Sequence, residues 1–495
     1  MTHSTAKPVP SARRLAYQAL YDVLEKDAYS NIVLQRILAE YPLKAEEAHL
    51  LTELVYGVLR KYNHLLWIIG KLSTQKVKKL HPSVRILLCL SLYQLLFLTR
   101  IPESAAVNES VKIAKKVTHP GNVRFVNGVL RNFLRKKDSF RIPSRKEDAL
   151  LHDALTYNQP RWLIEDWQNA WGVEKADAVF SAFNEIPSMT IRVNSLKQPA
   201  ADFEKLLSEK GIEATPIPYL PEGFTIKSGA HHFFGTFLKE GLAYVQSASS
   251  MVPAKVLSPK SGETVLDMCA APGSKTTQMA EMMGNEGSID AWDLYPHKIA
   301  LIKKNAKKEG ITIIHAGARD ATKPMPAVYE KYDKVLLDAP CSGLGVLSHK
   351  VEIRWRRTRE DLQEFPPLQK ALLEEAARYV KKGGTLVYST CTLNSKENED
   401  IVTAFLRDHP EFAPIDFRLE GLGASEKGML TIWPDQAQSD GFFVAKLKKQ
   451  SEESGGIACI SHPLLIERSL YGLEYLGTQS PRNGNMDHKP WLPEI

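Results

Sequence analysis

The stretch from Thr264 to Thr277, T-V-L-D-M-C-A-A-P-G-S-K-T-T, constrains the fold more than any other part of the sequence. A run of β-forming residues ends at Asp267, a turn of small residues follows, and a helix is predicted to open at Lys275. A strand, a tight turn and a helix start are how an α/β sheet brings backbone N–H groups up to a ligand. We therefore expect a ligand-binding edge of an α/β sheet at this point of the chain.

Two common nucleotide-binding motifs do not fit this turn. A phosphate-binding loop G-x-x-x-x-G-K-[ST] would need glycines where Cys269 and Ser274 stand. A dinucleotide fingerprint G-x-G-x-x-G needs three glycines, and the turn contains only Gly273. The turn therefore predicts a ligand other than a nucleotide polyphosphate.

Length and composition set the broad class of the protein. A chain of 495 residues is long enough for two or three domains, and 43% hydrophobic with 24% charged residues is typical of a soluble globular protein. The five cysteines are widely spread without a C-x-x-C pair, so neither a disulfide framework nor a metal site is expected. The most apolar window, residues 86–98, is too short to span a bilayer. We expect a cytoplasmic protein that does not contact a membrane.

The N-terminal part has a helical pattern. From Ala12 to about Arg135, apolar residues recur at spacings of three and four, and prolines interrupt the pattern at 42, 82, 102 and 120. This pattern predicts an all-α bundle of several helices, with Cys89 as an inert core residue.

The part from Glu263 onward has an alternating pattern instead. Predicted strands at 264–267, 288–293, 312–316, 334–338, 384–389 and 441–446 alternate with predicted helices at 275–283, 296–308, 367–380 and 397–409. This alternation predicts a parallel, doubly wound α/β sheet. Ligands bind outside the carboxyl ends of the strands in such a sheet.

The core of the opening stretch, D-x-C-A-A-P-G-x-K-T, resembles motif I of the S-adenosylmethionine-dependent RNA (cytosine-5) methyltransferases of the Nol/Nop/Sun family. The phrases L-V-Y-G-V-L-R, A-A-V-N-E-S-V and F-V-N-G-V-L-R resemble the NusB-type RNA-binding domain, which precedes the methyltransferase in the Sun (RsmB) branch of that family. The resemblance implies a multidomain protein: an all-α NusB-like domain at 1–137, a small α+β RNA-binding subdomain at 155–245 and a Rossmann-like methyltransferase domain at 246–449. Residues 450–495 match nothing in the family, and we assign them no function.

Four acidic residues fall at or near the ends of successive predicted strands: Asp267, Asp293, Asp320 and Asp338. One such residue alone would be a helix cap or a turn former, but four together favour a cofactor site. Asp293 is placed to accept both ribose hydroxyls of an adenosyl group, and Asp320 to lie near the adenine amino group. The resemblance assigns S-adenosylmethionine binding, without a metal, to Cys269, Ala270, Ala271, Pro272, Gly273, Ser274, Lys275, Asp293, Asp320 and Asp338.

Two cysteines are expected at strand ends of the same sheet: Cys341 in D-A-P-C-S-G-L-G and Cys391 in Y-S-T-C-T. C5 of cytosine is a weak nucleophile, and a thiolate that adds at C6 activates it; the C5 proton must then leave so that the thiol is released. The resemblance implies that Cys391 is the nucleophile, that Cys341 assists product release, and that Asp338 binds the N3/N4 edge of the flipped base. Both cysteine motifs together indicate an RNA enzyme, because DNA cytosine-5 enzymes use only the P-C cysteine.

Several basic segments are candidates for RNA contact. Between Lys112 and Lys137 the chain has no Asp or Glu but eight cations: Lys112, Lys115, Lys116, Arg124, Arg131, Arg135, Lys136 and Lys137. Such a one-sided run favours phosphate contact over a merely solvated face. For the stretch E-I-R-W-R-R-T-R-E-D, Glu352 to Asp361, we favour stacking and phosphate contacts over an ordinary surface loop.

Other positions leave alternatives open. Arg192 and Asn194 alternate with apolar residues on a predicted strand, so they share a face that is either solvated or in contact with RNA. Lys275 either steadies the active-site loop, contacts substrate, or is an exposed lysine of the first helical turn. The chain also departs from the family pattern at Ser247, Ser274, Val351 and Ser395.

The sequence thus predicts a monomeric enzyme that methylates C5 of one cytosine in small-subunit (16S) ribosomal RNA, with protein-free RNA or an early assembly intermediate as its partner. One alternative is a tRNA cytosine-5 methyltransferase, although such relatives generally lack the NusB-like part. Another is a non-catalytic RNA-binding or ribosome assembly factor, against which the set Cys341, Cys391 and Asp338 argues.

Overall fold

The computed structural model describes residues 9–229, 237–437 and 439–451. The start of the chain and residues 452–495, most of the segment without an assigned function, lie outside the described residues. The described residues form a helical bundle, a group of connecting helices, a small antiparallel sheet and a larger mixed sheet.

The N-terminal bundle consists of α1 (Ala12–Glu25), α2 (Ser30–Glu40), α3 (Ala45–Arg60), α4 (Tyr62–Leu72), α5 (Pro82–Phe97), α6 (Glu103–Val117) and α7 (Pro120–Lys136). Pro82 and Pro120 are the first residues of their helices, where a missing N–H costs nothing and the ring sets a helical φ. The α5 helix is buried along nearly its whole length, and Cys89 is fully buried in it. The predicted all-α bundle and the core role of Cys89 are confirmed.

Residues 138–154, which lie between the first two predicted domains, contain most of a helix. Helix α8 (Arg145–Thr156) starts with a capping box in which Ser144 and Glu147 satisfy each other's backbone. Helices α9 (Arg161–Trp171) and α10 (Val173–Asn184) follow, and the rings of Trp167 and Phe180 stack between them at 5.1 Å. Charged side chains thus cap a helix whose residues are only partly buried.

The small sheet contains β1 (Met189–Val193), β2 (Glu213–Ile217), β3 (Leu220–Ser228) and β4 (Ala243–Val245) in the order β2-β3-β1-β4, with α11 (Ala200–Glu209) against it. All pairs of neighbouring strands are antiparallel. The predicted strand that contains Arg192 is confirmed, with bounds Met189–Val193.

Both predictions for the Arg192 face were wrong. Arg192 is fully buried, and its guanidinium lies 2.9 Å from a carboxylate oxygen of Glu281 and 3.0 Å from one of Glu309. Asn194 is also buried and donates to the Glu309 carbonyl at 2.8 Å. This face of the small sheet therefore docks onto the following domain, where paired charges can be desolvated.

The larger sheet contains β5 (Thr264–Asp267), β6 (Ser288–Asp293), β7 (Ile314–Ala318), β8 (Tyr332–Asp338), β9 (Val380–Thr390), β10 (Phe412–Pro414), β13 (Met429–Ile432) and β14 (Phe442–Lys449), and a short hairpin beside it is formed by β11 (Arg418–Leu419) and β12 (Gly423–Ala424). The order β10-β14-β9-β8-β5-β6-β7 is parallel from β9 to β7. However, β14 runs antiparallel to β9, so the sheet is mixed and the prediction of an all-parallel sheet was wrong at this edge.

The helices of this part are α12 (Ala248–Leu257), α13 (Ser274–Met282), α14 (Pro296–Glu309), α15 (Ile353–Arg356), α16 (Phe365–Tyr379), α17 (Glu399–Asp408) and α18 (Pro434–Ala437). The sheet separates two apolar clusters: Val265 and Leu336 contact one of them, whereas their neighbours Leu266 and Leu337 contact the other. This alternation is that of a sheet covered on both faces, and it leaves the carboxyl ends of the strands as the place for a site.

Two residues of the stretch from Glu352 to Asp361, Arg354 and Trp355, lie inside the protein instead of on an RNA-contacting loop. Arg354 is buried and donates to the carbonyl of Phe183 at 2.7 Å and to the side-chain oxygen of Asn184 at 3.0 Å. Trp355 is buried against the helical bundle. The Arg354 guanidinium is thus bound by oxygen atoms inside the protein and not by phosphate. The prediction of RNA contact was wrong for Arg354 and Trp355.

Candidate active site

The turn between β5 and α13 is shaped by its neighbours. The Ala270 N–H donates to the Trp292 carbonyl at 2.8 Å, and the Gly273 N–H donates to the Ala270 carbonyl at 2.7 Å. Gly273 has φ +100°, and a Cβ at this position would lie 3.2 Å from the Ile302 Cα. Glycine is therefore required both by its conformation and by the close approach of α14. Ser274 is the first residue of α13, so the departure from the family pattern lies where a helix can accept it.

Asp267 lies at the end of β5 and is 1% exposed. One of its oxygens accepts a bond from the Thr276 hydroxyl at 2.7 Å, whereas the other has no hydrogen-bond partner among the described residues. Burial raises the pKa of this carboxyl from 3.8 to about 7, and the nearby charge of Asp338 adds to the increase. A buried carboxylate oxygen without a partner suits a ligand that donates hydrogen bonds at this edge.

Asp293, at the end of β6, faces the same turn. Its carboxylate accepts from the Ala271 N–H at 3.3 Å and from the Tyr295 N–H at 3.2 Å, and Lys298 lies 3.4 Å away. Burial raises the pKa of the Cys269 thiol most, and the negative charges of Asp267, Asp338 and Asp293 raise it further. The structure thus brings these three predicted acids together around the turn.

Asp320 is engaged differently. Its carboxylate accepts from the Thr322 hydroxyl at 2.6 Å and from the Thr322 N–H at 3.0 Å, which lowers the pKa of Asp320. These bonds make Asp320 the turn former that a single strand-end Asp would be. It remains joined to the site through the backbone, since the Arg319 N–H donates to the Asp293 carbonyl at 2.8 Å.

The two predicted catalytic cysteines meet in space. The Cys341 and Cys391 sulfur atoms are 3.3 Å apart, although the residues are 50 positions apart in the chain. Cys341 follows β8 and Cys391 follows β9, and these parallel neighbours carry their next loops to the same edge of the sheet. The hydrogen bond from Cys341 lowers the pKa of Cys391, while the same contact and burial raise the pKa of Cys341. The lowered pKa of Cys391 favours its thiolate, the form in which a cysteine acts as a nucleophile.

Asp338 stands between these sulfurs and the turn. One carboxylate oxygen accepts from the Ser389 hydroxyl at 2.8 Å, and the other lies 2.8 Å from the Lys275 ammonium. Lys275 also donates to the Ser250 hydroxyl at 3.1 Å and is 9% exposed, so the alternative of an exposed lysine was wrong. Burial alone would lower the pKa of Lys275. The charge and the hydrogen bond of Asp338 outweigh burial, so the pKa of Lys275 is raised and the ammonium stays protonated.

The sequence prediction missed three residues of the site. Ser389 and Ser250 hold Asp338 and Lys275, and only Ser389 had a signal, because it precedes the T-C-T motif directly. Glu397 is fully buried and accepts from the Ser342 N–H at 2.9 Å and from the Asn394 amide at 2.9 Å. One carboxylate thereby joins the loop after Cys341 to the loop after Cys391, and nothing in the sequence indicated it.

Among the described residues, no cluster of three or more His, Cys, Asp or Glu side chains is arranged as a metal site. Nor does the described part of the chain contain a helix with the length and apolar character that a bilayer crossing requires.

Family models match consecutive parts of the chain. The NusB family matches residues 10–135, the RsmF/B-like ferredoxin-like domain matches 159–231, and the 16S rRNA methyltransferase RsmB/F family matches 254–448. The order of the three matches agrees with the order of the helical bundle, the small sheet and the larger sheet.

Curated relatives extend over nearly the whole chain. The chain is similar to the "Probable ribosomal RNA small subunit methyltransferase B" of Bacillus subtilis (strain 168), with 39% identity over 451 residues that cover 89% of this chain and 99% of the relative. It is 33% identical to the ribosomal RNA small subunit methyltransferase B of Cronobacter sakazakii, over 88% of this chain and 98% of the relative.

Solved structures are similar as well. The crystal structure of PH0851 has 30% identity and a TM-score of 0.79, covering 90% of this chain and 100% of that chain. NSun6 from Pyrococcus horikoshii, solved with SFG, has 26% identity and a TM-score of 0.53, covering 59% of this chain and 99% of that one. The chain therefore belongs to the RsmB/F family of 16S rRNA methyltransferases, and it is an S-adenosylmethionine-dependent RNA methyltransferase with NusB and ferredoxin-like domains.

Proposed function

We propose that this enzyme methylates C5 of a cytosine in small-subunit (16S) ribosomal RNA through a covalent adduct. The observation that carries the proposal is the pair of sulfur atoms of Cys341 and Cys391, 3.3 Å apart, beside the carboxylate of Asp338. The names of the matched family and of the curated relatives support small-subunit rRNA as the substrate.

The nucleophile of the proposed reaction is Cys391. Its thiolate forms a bond from Sγ to C6 of the flipped cytosine, and the electron pair of the C5–C6 double bond makes C5 enamine-like. Asp338 hydrogen-bonds the N3/N4 edge and stabilises the charge that the ring gains. Lys275 and Ser389 hold the two oxygens of Asp338, which fixes the direction in which this carboxylate faces the base.

The turn between β5 and α13 fits the adenosyl cofactor. Gly273, at φ +100°, has no side chain that would block the approach of a ligand to the turn. Asp267 has a buried carboxylate oxygen without a partner among the described residues. Cys269 to Lys275 would hold the cofactor with Asp293, Asp338 and, at the outer end, Asp320. When bound, S-adenosylmethionine supplies an electrophilic methyl group.

Release of the product is the proposed task of Cys341. After methylation, a base takes the C5 proton, the C–H electron pair restores the C5–C6 double bond, and the bond from C6 to the Cys391 sulfur breaks. Cys341 stands 3.3 Å from the sulfur that must leave, so it is placed to assist this elimination. Without Cys341, the adduct is expected to persist.

The helical bundle is the proposed docking surface for the RNA. Its basic run lies on α6, on α7 and on the residue after α7, and all the cations of the run are exposed: Lys112, Lys115, Lys116, Arg124, Arg131, Arg135, Lys136 and Lys137. Lys112 and Lys137 pair with Glu109 and Glu103 of α6, and the run itself contains no acidic residue, which suits the phosphate backbone. Protein-free or early-assembly 16S rRNA is the proposed partner of a monomeric enzyme.

The test is methyl transfer from S-adenosylmethionine to protein-free small-subunit rRNA, mapped by bisulfite sequencing. A single protected cytosine is expected with the wild type and with Cys89→Ala, and none with Cys391→Ala. Cys89 is the matched control because it is a free cysteine buried in the bundle. Methylation of tRNA alone would replace the substrate, and no methylation of either RNA would favour a non-catalytic RNA-binding factor.

A further inference from the structure

The segment after the Cys341 loop, residues 351–357, leaves the catalytic domain and enters the helical bundle. Val351 is fully buried and Trp355 is 8% exposed, and both belong to the apolar core of the bundle. The Trp355 indole N–H donates to the Leu59 carbonyl at 3.4 Å, and its ring lies 5.9 Å from that of Tyr62. We call residues 351–357 the docking segment.

Charged side chains fix the position of the docking segment. Glu352 is 1% exposed and accepts from both the N–H and the hydroxyl of Ser30, at 3.1 and 2.9 Å. Ser30 is the first residue of α2, so this carboxylate satisfies donors that a helix start leaves open. Arg356 donates to the carbonyls of Val23 at 3.0 Å and Ala28 at 2.5 Å. Buried polar groups are costly without hydrogen-bond partners, so these contacts hold the docking segment in one position against the bundle.

The other end of the docking segment is tied to the catalytic cysteine. The Arg357 Nε donates to the carbonyl of Ser342, the residue after Cys341, at 3.0 Å. The Ser342 hydroxyl in turn lies 2.8 Å from that of Thr392, the residue after Cys391. A set of contacts thus runs from Ser30 in the bundle to Ser342, the residue after Cys341, and one contact further to Thr392.

We propose that the helical bundle positions Cys341 through the docking segment, with Arg357 as the positioning residue, so that the bundle is required for product release as well as for RNA docking. This inference rests on the proposed role of Cys341 in release. Arg357 contacts the loop of Cys341, whereas Asp338 is held by Ser389 and Lys275, outside the docking segment. Arg357 contacts the Cys341 loop directly and the Cys391 loop only through Ser342, so loss of the Arg357 contact is expected to affect release more than methyl transfer.

The experiment compares the full-length wild type with Arg357→Ala, Arg357→Lys, Cys341→Ala, Ser30→Ala and Arg407→Ala on protein-free small-subunit rRNA. Arg407 is the control, because it is an exposed arginine that pairs with Asp408. One readout is the single-turnover rate of methyl transfer, and the other is the fraction of protein covalently bound to RNA in a denaturing gel. Thermal unfolding of each variant reports whether the fold is intact.

Arg357→Ala is expected to accumulate adduct about tenfold over the wild type, as Cys341→Ala does, with methyl transfer within about twofold. Arg357→Lys restores part of the release, because a cationic donor remains, and Arg407→Ala behaves as the wild type. Adduct in Cys341→Ala but not in Arg357→Ala would overturn this inference alone. No adduct in either would remove the proposed role of Cys341, and this inference with it.

Two further results would also overturn it. One is an equal loss of methyl transfer and release in Arg357→Ala, which would make Arg357 a general structural residue. The other is normal release in Ser30→Ala with a lowered unfolding temperature, since the bundle contact would then act on stability only. Adduct in Ser30→Ala, at the bundle end of the path, would support it.

Discussion

The ammonium of Lys275 lies 2.8 Å from the carboxylate of Asp338, and the two residues come from opposite sides of the site: the cofactor turn and the strand before Cys341. The contact joins the proposed cofactor-binding turn to the proposed base-binding carboxylate. This buried lysine holds one oxygen of Asp338 while the Ser389 hydroxyl holds the other, so the two contacts together fix the direction of the carboxylate.

Lys275→Met is expected to lower the single-turnover rate of methyl transfer roughly 100-fold, because Asp338 loses the cation that holds it toward the base. The measurement is transfer of a labelled methyl group to rRNA under single-turnover conditions. Lys331→Met is the control, since Lys331 pairs with Asp290 and stands at the start of β8, away from the cysteines. A rate within twofold of the wild type would show that Asp338 does not depend on this ion pair.

Gly273→Ala is expected to weaken S-adenosylmethionine binding by about tenfold or more, because alanine is strained at φ +100° and its Cβ would meet Ile302. Isothermal titration calorimetry measures the effect. Ser274→Gly, which introduces the residue common in the family, is the matched control and is expected to bind with nearly unchanged affinity. Equal affinities of the wild type and Gly273→Ala would mean that the turn does not contact the cofactor.

The thiol pair predicts a pH dependence. The bond from Cys341 lowers the pKa of Cys391 by favouring its thiolate, so alkylation of Cys391 by iodoacetamide should rise with pH through a midpoint below that of an ordinary thiol. In Cys341→Ala the donor is lost, and this midpoint should move upward. Mass spectrometry of the peptide containing Cys391 gives the rate at each pH.

The internal control in the same digests is Cys89. Burial raises the pKa of Cys89 to about 12, and the residue is fully buried, so it should stay unlabelled in the folded protein. A midpoint for Cys391 that is the same with and without Cys341 would contradict the proposed hydrogen bond. Labelling of Cys89 at the same rate would indicate unfolding instead.

The sequence predicted those parts of the site that are built from local patterns. The turn from Asp267 to Lys275 is a strand end, small residues and a helix start within one short stretch, and the structure has it in that form. The cysteines could be placed at one sheet edge because parallel neighbours carry their loops to the same side. Their separation of 3.3 Å could not be predicted from spacing.

The errors concern charged residues whose partners are distant in the chain. Glu352 and Ser30 are 322 positions apart, and Arg192 and Glu309 are 117 positions apart. A cation near an aromatic residue has the same local pattern whether it faces RNA or the carbonyls of another domain, as Arg354 does. Burial of these charges depends on domain docking, about which a local pattern contains no information.

The buried Asp267 predicts a stability change with pH. Its folded pKa of about 7 lies above the unfolded value of 3.8, so its contribution to stability is fully present below the unfolded pKa and is lost as the pH rises through 7. Asp267→Asn does not titrate and keeps a similar shape. Relative to the wild type, this variant should therefore gain about 4 kcal/mol in free energy of unfolding between pH 4 and pH 8. Urea unfolding of both proteins at several pH values measures the difference, and a constant difference across this range would contradict the raised pKa.

The basic run of the bundle predicts a salt dependence of RNA binding. Lys115 and Lys116 are exposed on α6, and replacing both with serine should lower the slope of log affinity against log salt by about 1.5, because two phosphate contacts are lost. The matched control replaces Lys260 and Lys331 with serine. Lys260 precedes β5 and Lys331 precedes β8, so both lie at the amino ends of the strands, opposite the proposed site. Filter binding to protein-free rRNA over a range of salt concentrations gives the slopes. Equal slopes in the two double variants would place the RNA on another face.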